Sequence, residues 1–115
     1  MCCWNVYIGT STPSAALHVV GGFIGGLRSA TSPITTTAAD YIILVGGTGP
    51  RTVSIATVTK QSGKILIIKE ANNATGTITI TDAGGGTFDG AASLLIAMAY
   101  GVYRLTSDGT NWFTF

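Results

Sequence analysis

Thr77-Ile78-Thr79-Ile80-Thr81 alternates without exception between a hydroxyl-bearing and an aliphatic residue, all of them β-branched. In an extended backbone successive side chains point to opposite faces, so both isoleucines fall on one face and the threonines on the other. The stretch predicts a strand with one buried side. Upstream, Tyr41-Ile42-Ile43-Leu44-Val45 and Ile65-Leu66-Ile67-Ile68 are short unbroken apolar runs, the pattern of central strands covered on both faces. Arg51 to Thr59 alternates again, with Val53 and Ile55 on one face until the phase slips at Ala56-Thr57, where a bulge or bend is expected. Turn-forming residues separate these runs: Gly46 to Pro50, Gln61 to Gly63, Asn72 to Gly76 and Asp82 to Gly86. Strand and turn at this short spacing predict an all-β domain.

Toward the C-terminus, Ala91 to Tyr100 contains helix-favouring Ala, Leu and Met. About ten residues between two glycine-containing turns fit a strand better, with Leu94, Ile96, Met98 and Tyr100 on one face; a helix is the alternative. Val102 to Thr106 and Asn111 to Phe115 flank Asp108-Gly109, which predicts a closing hairpin. The first forty residues differ. Asn5 to Gly9 and Leu17 to Gly22 are short β-like pieces among Ser, Thr and Pro, with too little apolar surface to fold alone. Wound with two identical copies, such a segment would bury Ile8, Leu17 and Val19 at a common axis. The Ser/Thr/Pro cluster at Thr31 to Asp40 places a boundary there, dividing a shaft-like segment and linker (residues 1–35) from a knob (residues 36–115).

Composition narrows the function classes. The 115 residues make one domain. Only 10% are charged, against about 25% in an average soluble domain, while 46% are hydrophobic and 16 are glycine. Such a chain is expected to cover much of its surface with copies of itself. A net charge of +1 offers no footprint for nucleic acid. Cys2 and Cys3 are adjacent, so they cannot staple separate elements and match no zinc spacing. Only Met1 precedes them, so no lipid-anchor signal is expected. The apolar windows fall well short of the roughly 20 residues of a membrane span.

Catalytic patterns are thin. The acids are Asp40, Glu70, Asp82, Asp89 and Asp108; the last three sit beside small residues, where an aspartate ordinarily builds an Asx turn. Paired carboxylates for glycan cleavage are the weaker reading. His18 lies in an apolar strand with no nucleophile or carboxylate at an indicative spacing, although three copies around an axis would bring three imidazoles together. The glycine clusters lack P-loop spacing, and Asn73-Ala74-Thr75 matches a glycosylation pattern that is common by chance. We therefore expect no catalytic residue, cofactor or metal ligand. For recognition, exposed aromatics stack on sugar rings and anchor protein contacts. Tyr100, Tyr103, Arg104 and Trp112 are the receptor-contact candidates; for Trp112, and for Phe88, packing in a core or between subunits is the favoured competing role.

Two stretches carry a family resemblance. YIGTSTPSAALHVVGG (Tyr7 to Gly22) resembles the Gly-Thr-Thr-x-Pro, Leu-x-Val repeat of trimeric phage tail-fibre shafts and related bacterial surface fibres, with Ser11 in place of the commoner second Thr. The remainder resembles a small β module at the ends of phage fibre and other virion proteins: DYIILV, then GKILIIKE (Gly63 to Glu70), TITI, GGTFDGAAS (Gly85 to Ser93), Tyr100-Gly101 and SDGTNW (Ser107 to Trp112). The module's usual Leu-Pro step is replaced here by Ala56 to Lys60. The resemblance implies a homotrimeric virion appendage: an intertwined fibre-like segment, then a small antiparallel β-sandwich or jelly-roll-like knob. Its partners would be two further copies, other virion proteins and a host-surface glycan or protein, with no membrane insertion. A capsid decoration protein or self-assembling filament subunit is the alternative.

Overall fold

A computed structural model describes residues 6–73 and 76–115. Cys2, Cys3 and most of the Asn73-Ala74-Thr75 acceptor pattern lie outside the described residues. The chain is nearly all β. Its strands are β1 (Val6–Ile8), β2 (Leu17–Val19), β3 (Leu27–Ala30), β4 (Ile34–Thr35), β5 (Ile42–Val45) and β6 (Arg51–Ile55), then β7 (Ile65–Glu70), β8 (Ile78–Asp82), β9 (Ser93–Ile96), β10 (Val102–Ser107) and β11 (Trp112–Thr114). Among the described residues helical structure is confined to one 3₁₀ turn, Thr57–Thr59, placed where the alternation of β6 slips phase. Among the described residues no helix is long and apolar enough to cross a membrane.

Two sheets enclose one core. A five-stranded sheet has the order β11-β10-β7-β5-β3 and a four-stranded sheet the order β4-β6-β8-β9. From β3 to β8 consecutive strands alternate between the sheets, so each sheet receives every second strand and pairs it parallel to the one before. Three turns of a flat coil result. The antiparallel pairing implied by the family resemblance holds for the last strands: β9 on β8, β10 on β7 and β11 on β10. The turns at Gly46 to Pro50, Gln61 to Gly63 and Asn72 to Gly76 thus carry the chain across to the opposite sheet rather than back along the same one. β3 and β4 lie on the shaft side of the boundary read near residue 35, yet they form the first turn of this coil.

Inward residues follow the alternation. Ile43, Val45, Val53, Ile55, Leu66 and Ile68 meet Ile78, Ile80, Phe88, Leu105 and Trp112, all fully buried. Outward, the sheets differ in kind. Across the four-stranded sheet Thr35, Ser54, Thr81 and Ser93 align in one row and Thr52 and Thr79 in another, an array of hydroxyls. On the five-stranded sheet, Leu27, Ile42 and Ile67 align with Arg104. Leu44, Lys69 and Val102 form a second row, and Ile65, Thr106 and Phe113 a third. The central runs are therefore buried on their inner face, while the outer face of β5 and β7, read as covered, is only half-buried among the described residues.

Among the described residues three ion pairs sit at the rims of the core, two of them buried, and one joins the sheets. Arg51 of β6 grips Glu70 of β7 in a two-point pair, with Nη1 to Oε1 at 2.9 Å and Nη2 to Oε2 at 2.5 Å. Lys60 Nζ donates to Asp82 Oδ2 at 2.6 Å, and Arg28 clasps Asp40 at 2.7 and 2.8 Å. The far edge of β11 is also closed, because the amide of Trp112 donates to the Thr87 carbonyl and that of Thr114 to the Asp89 carboxylate. Sealing of this kind keeps an edge strand from recruiting another chain.

β1 and β2 form a separate parallel ribbon, with Val6 opposite Leu17 and Ile8 opposite Val19. Ile8, Leu17 and Val19, expected together at an axis, do share one face, and Val6 joins them. Val6, Ile8 and Leu17 are exposed on the single chain.

Candidate functional site

The segment that leaves β9 and returns as β10 crosses between the sheets and opens a groove of about 430 Å³ lined by Leu95, Ile96, Met98, Gly101, Val102 and Tyr103, among others. Local chemistry shapes it. The strand expected to run to Tyr100 ends at Ile96, with Leu94 and Ile96 facing inward as read and Met98 and Tyr100 turned out of the strand. Tyr100 adopts φ 56°, in the left-handed region that a bulky side chain rarely enters. Three bonds hold the bend: the Tyr100 amide donates to the Asn72 carbonyl, the Gly101 amide to Met98 and the Glu70 amide to Gly101. Gly101 is required by close approach, since a Cβ there would stand 2.7 Å from Ile96 Cγ2.

One of the four receptor-contact candidates, Tyr103, lines this groove, and Tyr100 lies on the loop beside it. Tyr103 forms part of its wall, half-buried against the core, with its hydroxyl 3.4 Å from the Leu95 carbonyl. Tyr100, on the loop that closes the groove, remains exposed. Lys69 Nζ donates to the Tyr100 carbonyl and lies 5.9 Å from the centre of its ring. Arg104 points to the opposite side, its Nε donating to the Phe115 carbonyl and its guanidinium 6.0 Å from that ring. It does not join the two tyrosines. Trp112 is corrected: it is fully buried between the sheets, because β11 turns Trp112 inward and Phe113 outward, and it has no surface to offer a receptor. Leu95, Met98 and Lys69 were not legible as site residues. The pairing of β7 with β10 that brings Lys69 to Tyr100 is long-range and leaves no mark in local spacing.

The remaining charged groups serve the fold. Asp82 accepts from the amides of Gly84 and Gly86 besides Lys60, and Asp108 from those of Thr110 and Asn111, the turn roles read for them. Backbone amides of Asn111 and Thr110 hold the Asp108 carboxyl below its ordinary range. The Arg51 hydrogen bonds hold Glu70 low against the opposing effect of burial. At Asp40 burial alone would raise the pKa, but the bonds from Arg28 and the Thr37 amide outweigh it and leave it lowered. Among the described residues no group of three or more His, Cys, Asp or Glu is placed to hold a metal. His18 Nδ1 accepts from the Ser14 amide at 3.0 Å within the ribbon's turn.

No protein-family model matches the chain, and no curated protein matches it.

Proposed function

We propose that the chain is a structural and adhesive subunit of a trimeric fibre, a virion appendage in which the ribbon winds with two copies into a shaft and the two-sheet body forms a sandwich-like knob at the tip. The observation that carries the proposal is the ribbon. A parallel pair of three-residue strands with an exposed apolar face is not a stable structure by itself, because parallel sheets persist when both faces are covered and two strands alone are marginal. Three copies around an axis would cover Val6, Ile8, Leu17 and Val19 with one another. The tyrosine-walled groove suits the displayed end. One shallow site would bind weakly, and three on a rigid tip raise apparent affinity through effective concentration.

Light scattering on the full chain tests the assembly. The expected result is a single species of three chains that loses mass in an Ile8→Asp, Leu17→Asp double variant while its circular dichroism stays β-rich. A monodisperse monomer would overturn the proposal, and a polydisperse polymer would replace it with the filament or decoration role. Adhesion is read separately on host cells or a glycan array, where Tyr103→Ala is expected to weaken binding by about tenfold or more, the loss of an aromatic anchor.

A further inference from the structure

We infer that the outer face of the five-stranded sheet is a contact surface between copies of this chain, so that the body, and not only the ribbon, packs on the assembly axis. The inference rests on the fibre reading and adds to it a specific face. That face is built as an interior. Ile42, Leu44 and Ile67 form its half-buried middle, with Leu27 (62% exposed), Val102 (40%) and Phe113 (42%) around them. β3, β5 and β7 run parallel, as β4, β6 and β8 do in the opposite sheet, so side-chain chemistry and not strand direction distinguishes the two outer faces. The opposite sheet shows what this chain presents to water: rows of threonine and serine, with one leucine, Leu95, in register with Thr79.

Three observations select a copy as the occupant. First, the chain runs from the apolar ribbon through Phe23 and Ile24, the latter 97% exposed, straight to Leu27, the first residue of the face. A ribbon held at an axis delivers this sheet to the same axis. Second, the charges match. The face carries no carboxylate, and its cations are turned to carbonyls of their own chain, Lys69 to Tyr100 and Arg104 to Phe115. The face thus carries two cations, and the acids that a copy has outside ion pairs are Asp89 and Asp108, both exposed. Asp40, Glu70 and Asp82 are taken up in ion pairs, and Asp89 and Asp108 are bonded to backbone amides. Third, the size fits. With strands about 4.8 Å apart and about 3.3 Å of rise per residue, the face covers roughly 400 Å² in plan. One partner in a standard interface contributes about 800 Å². That is about half of such a contribution, and the exposed apolar residues of the ribbon and of Phe23-Ile24, which precede the face in the chain, would add to it.

The test is light scattering on dilution of the full chain and of three single variants. Phe113→Lys and Ile67→Lys place a cation on the face, and Thr79→Lys places one on the hydroxyl sheet. The expected result is that Phe113→Lys and Ile67→Lys dissociate at concentrations at least tenfold above the parent's while Thr79→Lys stays with the parent. Phe113 is already partly solvated, so Phe113→Lys retains its fold if Ile67→Lys does not. A trimer that survives Phe113→Lys unchanged and dissociates only on Leu17→Asp overturns this inference and leaves the fibre reading standing. A monomeric parent overturns both.

Discussion

The Arg51–Glu70 pair shows how single residues tie the two sheets together. Both groups are buried, and the guanidinium also donates to the carbonyls of Gly47 and Gly49, so neither charge has water to fall back on. Arg51→Ala strands the carboxylate and is expected to cost about 3–5 kcal/mol, whereas Arg51→Met with Glu70→Leu removes both charges and should be far milder; urea unfolding distinguishes them. The acid limb follows from the same pair. Because the folded Glu70 carboxyl is held low, its stabilisation is complete above the ordinary carboxylate range of about 4.3 and disappears as pH falls through the lower folded value. In Glu70→Gln this part of the acid-induced loss should be absent from urea midpoints measured between neutral pH and the acid limb. Tyr100 is a different case. A left-handed backbone costs a side-chain residue about 1–2 kcal/mol, so Tyr100→Gly should gain stability by about 1 kcal/mol while losing adhesion, a trade that binding and denaturation measured together would reveal.

Strands were legible where alternation or an apolar run marks them, but not β3 and β4, although Ala30 packs on the core and Ile34 is buried in it. Ile78 and Ile80 are buried as the alternation of 77–81 demands, and Ile80→Ala is expected to cost about 2–5 kcal/mol where Thr81→Ala, on the hydroxyl face, costs within about 0.5 kcal/mol, by thermal or urea unfolding. The hairpin around Asp108-Gly109 was legible for a related reason: its turn is local, with Gly109 at φ 96° and Asp108 accepting from the next two amides that need a partner. Pairing direction was not legible. Gly46 to Pro50 has the composition of a hairpin turn, yet it carries the chain from one sheet to the other, and only the distant match of Val53 to Ile80 makes β6 and β8 parallel. The end of β9 was missed because Met98 and Tyr100 continue its alternation in letters, while the backbone of Tyr100 has already turned. The groove was half legible: the tyrosines stood out as aromatics, Tyr103 beside Arg104, but Lys69 and Leu95 reach the site only through non-local pairing.

At the scale of the molecule, 54 × 28 × 21 Å, the scarcity of charge becomes sharper than composition alone implied. Three acids and three bases are spent on ion pairs at the rims of the core, leaving Lys69 and Arg104 on the outer face of the five-stranded sheet and no charge in the rows of the hydroxyl sheet. The hydroxyl sheet therefore has room for added charge. Thr52→Glu with Thr79→Glu is expected to raise the solubility limit without loss of the assembled state, measured by precipitation assay and light scattering. The alternation of strands between sheets has a further consequence, for the order of events during synthesis. From β3 to β8 no strand pairs with its immediate predecessor, so each turn of the coil can form only against the turn already laid down, and contacts of this range slow folding. Growth has a direction, with β9 and β10 arriving last to occupy the free edges of β8 and β7. A nascent chain halted before them would offer two bare parallel edges to its neighbours on the polysome.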